Sequence, residues 1–195
     1  MIKAVMVMNT QGKPRLAKFY DYEPVEKQQE LIRSVFAALS SRAENVSNFV
    51  EADAIFGLDS RLVYKHYATL YFVFVFDSSE NELAMLDLIQ VFVETLDKCF
   101  KNVCELDIVF NYGKMQTILD EIVFGGQVLE TSSAEVMKVV EEISSWKLPQ
   151  MLSHLFPKLF LIGGAGSHYL PDCEEVKTNA NSAFPFSYES VRVQL

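Results

Sequence analysis

The chain has 195 residues, half of them hydrophobic, and a formal net charge of −9. That apolar content suffices for a packed core, and the acidic balance excludes nucleic acid or an anionic membrane as a partner of the surface as a whole. The longest apolar run, LYFVFVF at 70–76, is far short of the roughly 18–20 residues of a membrane span, and the N-terminus lacks the basic and apolar regions of a secretory signal, so the expected compartment is the cytosol.

Residues 2–9, IKAVMVMN, form a near-continuous apolar run suited to a strand buried on both faces. Turn chemistry at 9–13 (NTQGK) and the sequence RLAKFY at 15–20 predict an antiparallel hairpin. Pro24 sits near a first helical position, and residues 25–42 place Leu31, Val35, Ala38 and Leu39 on one face with charges opposite. Shorter strands are expected at 48–50 and 62–64, around a loop containing Gly57, and the strongest strand of the chain at 68–76. Ser79 and Glu82 have capping-box spacing, so a helix should begin near Asn81. A further helical stretch runs from Cys104, breaks near Gly113 and stops at Gly125 and Gly126; a last helix, capped by Ser132 or Ser133, runs to about Ser145 with Val136, Val139, Val140 and Ile143 inward. The order β-β-α-β-β-β-α-α-α implies an α+β fold, about five mostly antiparallel strands sandwiched by helices.

The helix at 83–100 is apolar nearly all round. Leu83, Leu86, Ile89, Val93, Leu96 and Phe100 make one stripe, and Met85, Leu88, Phe92 and Cys99 make a second on another face. One stripe can pack on the sheet. The second has too little remaining chain to cover it, so another polypeptide is expected there, and the chain reads as a subunit. Cys99, Cys104 and Cys173 show no CxxC spacing and read as buried thiols in a reducing compartment. The acidic run at 104–107 reads as a solvated edge. No metal-ligand cluster, phosphate loop or convergent acid, base and nucleophile is present, so no cofactor and no catalysis are expected.

Residues 147–195 carry four basic and four acidic residues, so the whole net charge belongs to the part before them. Four prolines, the GGAG cluster at 163–166 and a Ser/Asn stretch lie there without sustained period. The expected organisation is one domain at 1–146 followed by an irregular, poorly ordered extension at 147–195.

NTQGKPRLAKFY at 9–20, YKHYATLYFVFVFD at 64–77, LDLIQVFVETLDKCFKNVCELDIVFN at 86–111 and DEIVFGGQVLETS at 120–132 resemble the small sigma subunits of the heterotetrameric clathrin-adaptor complexes, a longin-like (SNARE-like) fold. KPRL, HYATLYF and ETLDKCFKNVCELD look like the sigma subunits of the third adaptor type in particular. From Trp146 onward the resemblance is expected to stop. It implies a non-catalytic role: stabilising the core of a cargo adaptor and sorting membrane cargo into vesicles between Golgi or endosomes and the vacuole or lysosome. The implied partners are a delta-type large chain held directly through Met85, Leu88, Phe92 and Cys99, beta-type and mu-type subunits in the same complex, and cargo tails, with peripheral attachment to membranes through the complex. Another longin-like module, such as a coatomer small subunit, is the alternative within the fold, and an enzyme with an unrecognised site the alternative outside it.

The resemblance also implies a site for acidic dileucine signals, which need a cation for the acidic end and an apolar pocket for the leucines. It places Arg15 as the cation, Ala68, Leu70, Val93, Val103, Leu106 and Ile108 as the pocket, and Asn102 at the rim.

Overall fold

Five strands build one sheet in the order β2-β1-β5-β4-β3, from β1 (Ile2–Asn9), β2 (Pro14–Phe19), β3 (Phe49–Glu51), β4 (Ser60–Tyr67) and β5 (Leu70–Asp77), and every neighbouring pair is antiparallel. The computed structural model describes residues 1–43, 46–101 and 103–155, the last ten of these as helix backbone. β1 is an interior strand, and both its faces are covered, as its apolar run requires. Alternation along β1 and β5 sorts the side chains. Ala4, Met6, Met8, Val73 and Val75 pack with Ile32, Val35 and Leu39 of α1 (Val25–Ser40); Val5, Val7, Phe72, Phe74 and Phe76 form the floor of the larger cluster on the other side. A four-residue helix, α2 (Asp53–Phe56), links β3 to β4.

On that larger side lies α3 (Glu82–Phe100). Its N-cap is Asn81, whose Oδ1 accepts from the amides of Leu83 (2.9 Å) and Ala84 (3.3 Å). Ser79, read from spacing as half of a capping box, instead bonds Asp77 and the N-terminal ammonium. α4 (Glu105–Phe110) and α5 (Tyr112–Ile122) follow, then a short hairpin of β6 (Val123–Phe124) and β7 (Gln127–Val128), and α6 (Ser133–Leu155). The two glycines read as a helix stop are the turn of that hairpin. Gly126 has φ +78°, and the amide of Ile2 donates to its carbonyl at 2.8 Å; a Cβ there would lie 2.6 Å from the Ile2 carbonyl oxygen.

The middle of both apolar stripes of α3, Met85, Leu88, Ile89, Phe92, Val93 and Leu96, is enclosed by this chain, which overturns the expected partner-covered face. Met85, Leu88 and Phe92 are 2 % exposed or less and share one cluster with Met115, Ile118, Leu119 and Ile122 of α5 and Val136 and Val140 of α6. Cys99 is partly buried, its Sγ 3.2 Å from Sδ of Met137. The physical reason is plain: the chain after residue 104 returns as helices and lays its own apolar faces on α3. The exposed large apolar residue of α3 is Leu83, in its first turn.

Two further expectations change. β4 runs through Tyr67 and β5 starts at Leu70, so Ala68 is a turn residue with φ +50° and not part of the strand. α6 continues as helix to Leu155, past the boundary at 146, and the chain divides into two compact units between Leu148 and Pro149. Of the irregular extension expected at 147–195, residues 147–155 are helix and residues 156–195 lie outside the described residues.

Candidate functional site

The NTQGK turn is built by Asn9, whose Oδ1 accepts from the amides of Gln11 (3.0 Å) and Lys13 (2.9 Å), an Asx-type closure that suits a tight hairpin. Its tip rests on α1: Gly12 has φ +76°, and a Cβ there would lie 2.6 Å from the Phe36 ring. Pairing between β1 and β2 then shifts register. Val7 faces Leu16 but Met8 faces Pro14, which leaves Arg15 as the extra residue of a bulge. A bulge bends its strand and re-aims a side chain.

Arg15 points at α4. Its Nε donates to Glu105 Oε1 at 2.7 Å, and its Nη2 lies 2.5 Å from the same oxygen. Asn9 Nδ2 donates to that oxygen as well, at 3.1 Å. The pair is partly shielded, with side chains 24 % and 27 % exposed. The turn at Ala68 and Thr69 joins the same end of the sheet, because the Thr10 amide donates to the Thr69 carbonyl at 3.1 Å and Asn9 pairs with Leu70.

α4 is seated by local bonds. α3 is closed at its C-terminal end by Lys101, in the left-handed region at φ +53°. Asp97 Oδ1 then accepts from the Val103 amide (2.9 Å), and Asp107 Oδ2 from the Cys104 amide (3.0 Å). Ile108 is fully enclosed while Leu106, Val109 and Phe110 face outward. Cys104 is exposed, against the expectation of a buried thiol. Cys99 is partly buried, and that burial pushes its thiol above the ordinary value; Cys173 lies outside the described residues.

The residues assigned to an apolar pocket therefore divide. Leu70, Val93 and Ile108 are no more than 6 % exposed and belong to one core cluster, against which Val103 packs. Ala68 is exposed on its turn, Leu106 is 56 % exposed, and Asn102 lies outside the described residues. Arg15, Ala68, Leu70 and α4 do gather at one end of the sheet. The residue that spacing missed is Glu105, read as part of a solvated acidic run; only a partner 90 positions away in sequence, Arg15, reveals it.

A separate concavity of about 540 Å³ opens on the α1 face, lined by Leu39, Arg42, Asn48, Tyr64, His66 and Tyr71 among others. Its polar groups serve structure: Arg42 Nη2 donates to the carbonyls of Ser47 (2.7 Å) and Phe49 (3.2 Å), and His66 stacks on Tyr71. Among the described residues no group of acidic, His and Cys side chains could hold a metal ion, and no helix is long and apolar enough to cross a membrane.

Comparison with known proteins gives a consistent picture. A family model described as the clathrin adaptor complex small chain matches residues 1–147. The AP-3 complex subunit sigma of Arabidopsis thaliana is 79 % identical over 158 residues, covering 81 % of this chain and 95 % of the relative, so the likeness runs past Trp146. The human AP-3 complex subunit sigma-2 is 54 % identical over 142 residues, 72 % of this chain and 74 % of the relative. The Dictyostelium discoideum AP-3 complex subunit sigma is 54 % identical over 135 residues, 68 % and 79 %. Among structures, one chain of a homology model of the full-length AP-3 complex in a stretched open conformation superposes with a TM-score of 0.59 at 37 % identity, covering 77 % of this chain and 97 % of that one.

Proposed function

Since the chain belongs to the family of clathrin adaptor complex small chains, whose members are structural trafficking components and not enzymes, we propose that it serves as the sigma subunit of a type-3 adaptor complex. In that role it stabilises the core of the assembly and sorts membrane cargo into vesicles bound from Golgi or endosomes to the vacuole or lysosome. It rides on the cytosolic face of those membranes through the complex. The shared name of relatives from a plant, an animal and an amoeba carries this reading.

The direct partner is a delta-type large chain, with beta-type and mu-type subunits completing the complex. Because the second stripe of α3 is sealed, the contact surface moves to the open row at α4 and the start of α5. Val109, Phe110 and Tyr112 are exposed there, Phe110 at 79 %. Exposed aromatic and aliphatic residues in a row are what a large chain would cover.

The cargo ligand is the acidic dileucine signal. Arg15 supports this role: a bulge aims it to the end of the sheet where Ala68, Leu70 and α4 meet. The test is binding of an acidic dileucine peptide to the complex assembled by co-expression with the large chain. Arg15→Glu should weaken it by about 1–3 kcal/mol, the range for a charged hydrogen bond. Unchanged affinity removes Arg15 from the site, and failure to co-purify with any large chain removes the subunit reading.

A further inference from the structure

The geometry points to Glu105 as a built-in stand-in for the acidic residue of the cargo signal, one contact that keeps Arg15 occupied and α4 closed over the apolar residues the leucines would reach. The inference rests on the signal-binding reading above and adds its regulation.

Three donors converge on one oxygen of Glu105: Arg15 Nε, Arg15 Nη2 and Asn9 Nδ2. The Arg15–Glu105 pair is formally neutral, so an arriving carboxylate meets little net positive field until Glu105 withdraws. Glu105 is also the first residue of α4, three positions before the fully enclosed Ile108. A helix of six residues has little stability of its own. Beyond the local bonds at its start, its hold on the sheet comes from Ile108 inside and the Glu105 ties to the β1–β2 hairpin, since Leu106, Val109 and Phe110 face outward. Leu70 and Val93 are closed to a ligand as the chain stands and share one core cluster with Ile108 of α4, so a leucine pocket requires that cluster to open. Withdrawal of Glu105 frees the cation and loosens that helix in the same event. A ligand carboxylate that replaces Glu105 on Arg15 therefore favours the open state, and the open state favours the leucines.

The experiment uses the assembled complex and two peptides, one acidic dileucine and one with its acidic residue replaced by glutamine. Glu105→Gln keeps the size of the side chain and removes its charge. It should bind the acidic peptide roughly two- to fivefold tighter, the upper part of the range for a partly exposed ion pair removed as competitor, and gain less with the neutral peptide. In the Arg15→Gln, Glu105→Gln double variant the gain should fall below about twofold, because the freed cation is gone. Hydrogen exchange without peptide should quicken in α4, a readout independent of affinity. If Arg15→Glu weakens binding while Glu105→Gln binds no tighter, the stand-in idea is wrong and the signal site survives. If no Arg15 substitution changes binding in any background, the signal reading fails and takes this inference with it.

Discussion

The second stripe of α3 and the outer row of α4 and α5 are both apolar, yet they end in opposite places. Met85, Leu88 and Phe92 lie at the centre of the larger core, beneath α5 and α6; Val109, Phe110 and Tyr112 lie in the open. Periodicity shows which residues must leave water, but not whose atoms cover them. For α3 the cover is the chain's own later helices. For the α4–α5 row, no later helix among the described residues buries it, which makes that row the place to look for a second polypeptide.

Substitutions can break or sharpen the contrast. Phe92→Ala, in the enclosed stripe, should cost about 3–5 kcal/mol of stability in urea unfolding, because a fully packed ring leaves a cavity. A cost below 1 kcal/mol would mean that α3 is not sealed. Gly126→Ala should cost about 1–3 kcal/mol, since its φ of +78° and the nearby Ile2 carbonyl both oppose a Cβ. The same change at Gly125, which has open space around it, should cost less.

Asp77 gives a smaller, pH-dependent effect. Hydrogen bonds from the N-terminal ammonium, 2.5 Å away, and from Ser79 hold its carboxyl at about 2, below the ordinary 3.8. A lowered carboxylate stabilises the fold above its unfolded value and loses that contribution as pH falls through the folded one. Asp77→Asn should therefore be less stable than the parent at neutral pH, with the difference closing between about pH 4 and pH 2. A gap that persists at pH 2 would assign the effect to packing and not to charge. Phe110→Ser should have the smallest effect on stability, within about 0.5 kcal/mol. It should nonetheless lower recovery of the large chain in co-purification, and full recovery would move the partner surface elsewhere.

The sheet was readable because alternation and continuous apolar runs follow directly from strand geometry. β1 and the β1–β2 hairpin fall where composition puts them, and five strands pair antiparallel as expected. The two-residue turn at Ala68 was hidden, since apolar residues on both sides look like one strand. Arg15 could be named from the family resemblance, but its aim could not. A bulge comes from the register of two strands, and register is set by everything packed on the sheet. Glu105 was invisible for a related reason: an acidic residue in an acidic run looks solvated until a distant arginine is brought to it.

The most direct test of the account is amide hydrogen exchange on the full chain alone and in complex with its large chain. The account predicts that α3 around Met85 to Phe92 is already protected in the chain alone and unchanged by assembly, while residues 105–116 gain protection. New protection in α3 with none at 105–116 would contradict it.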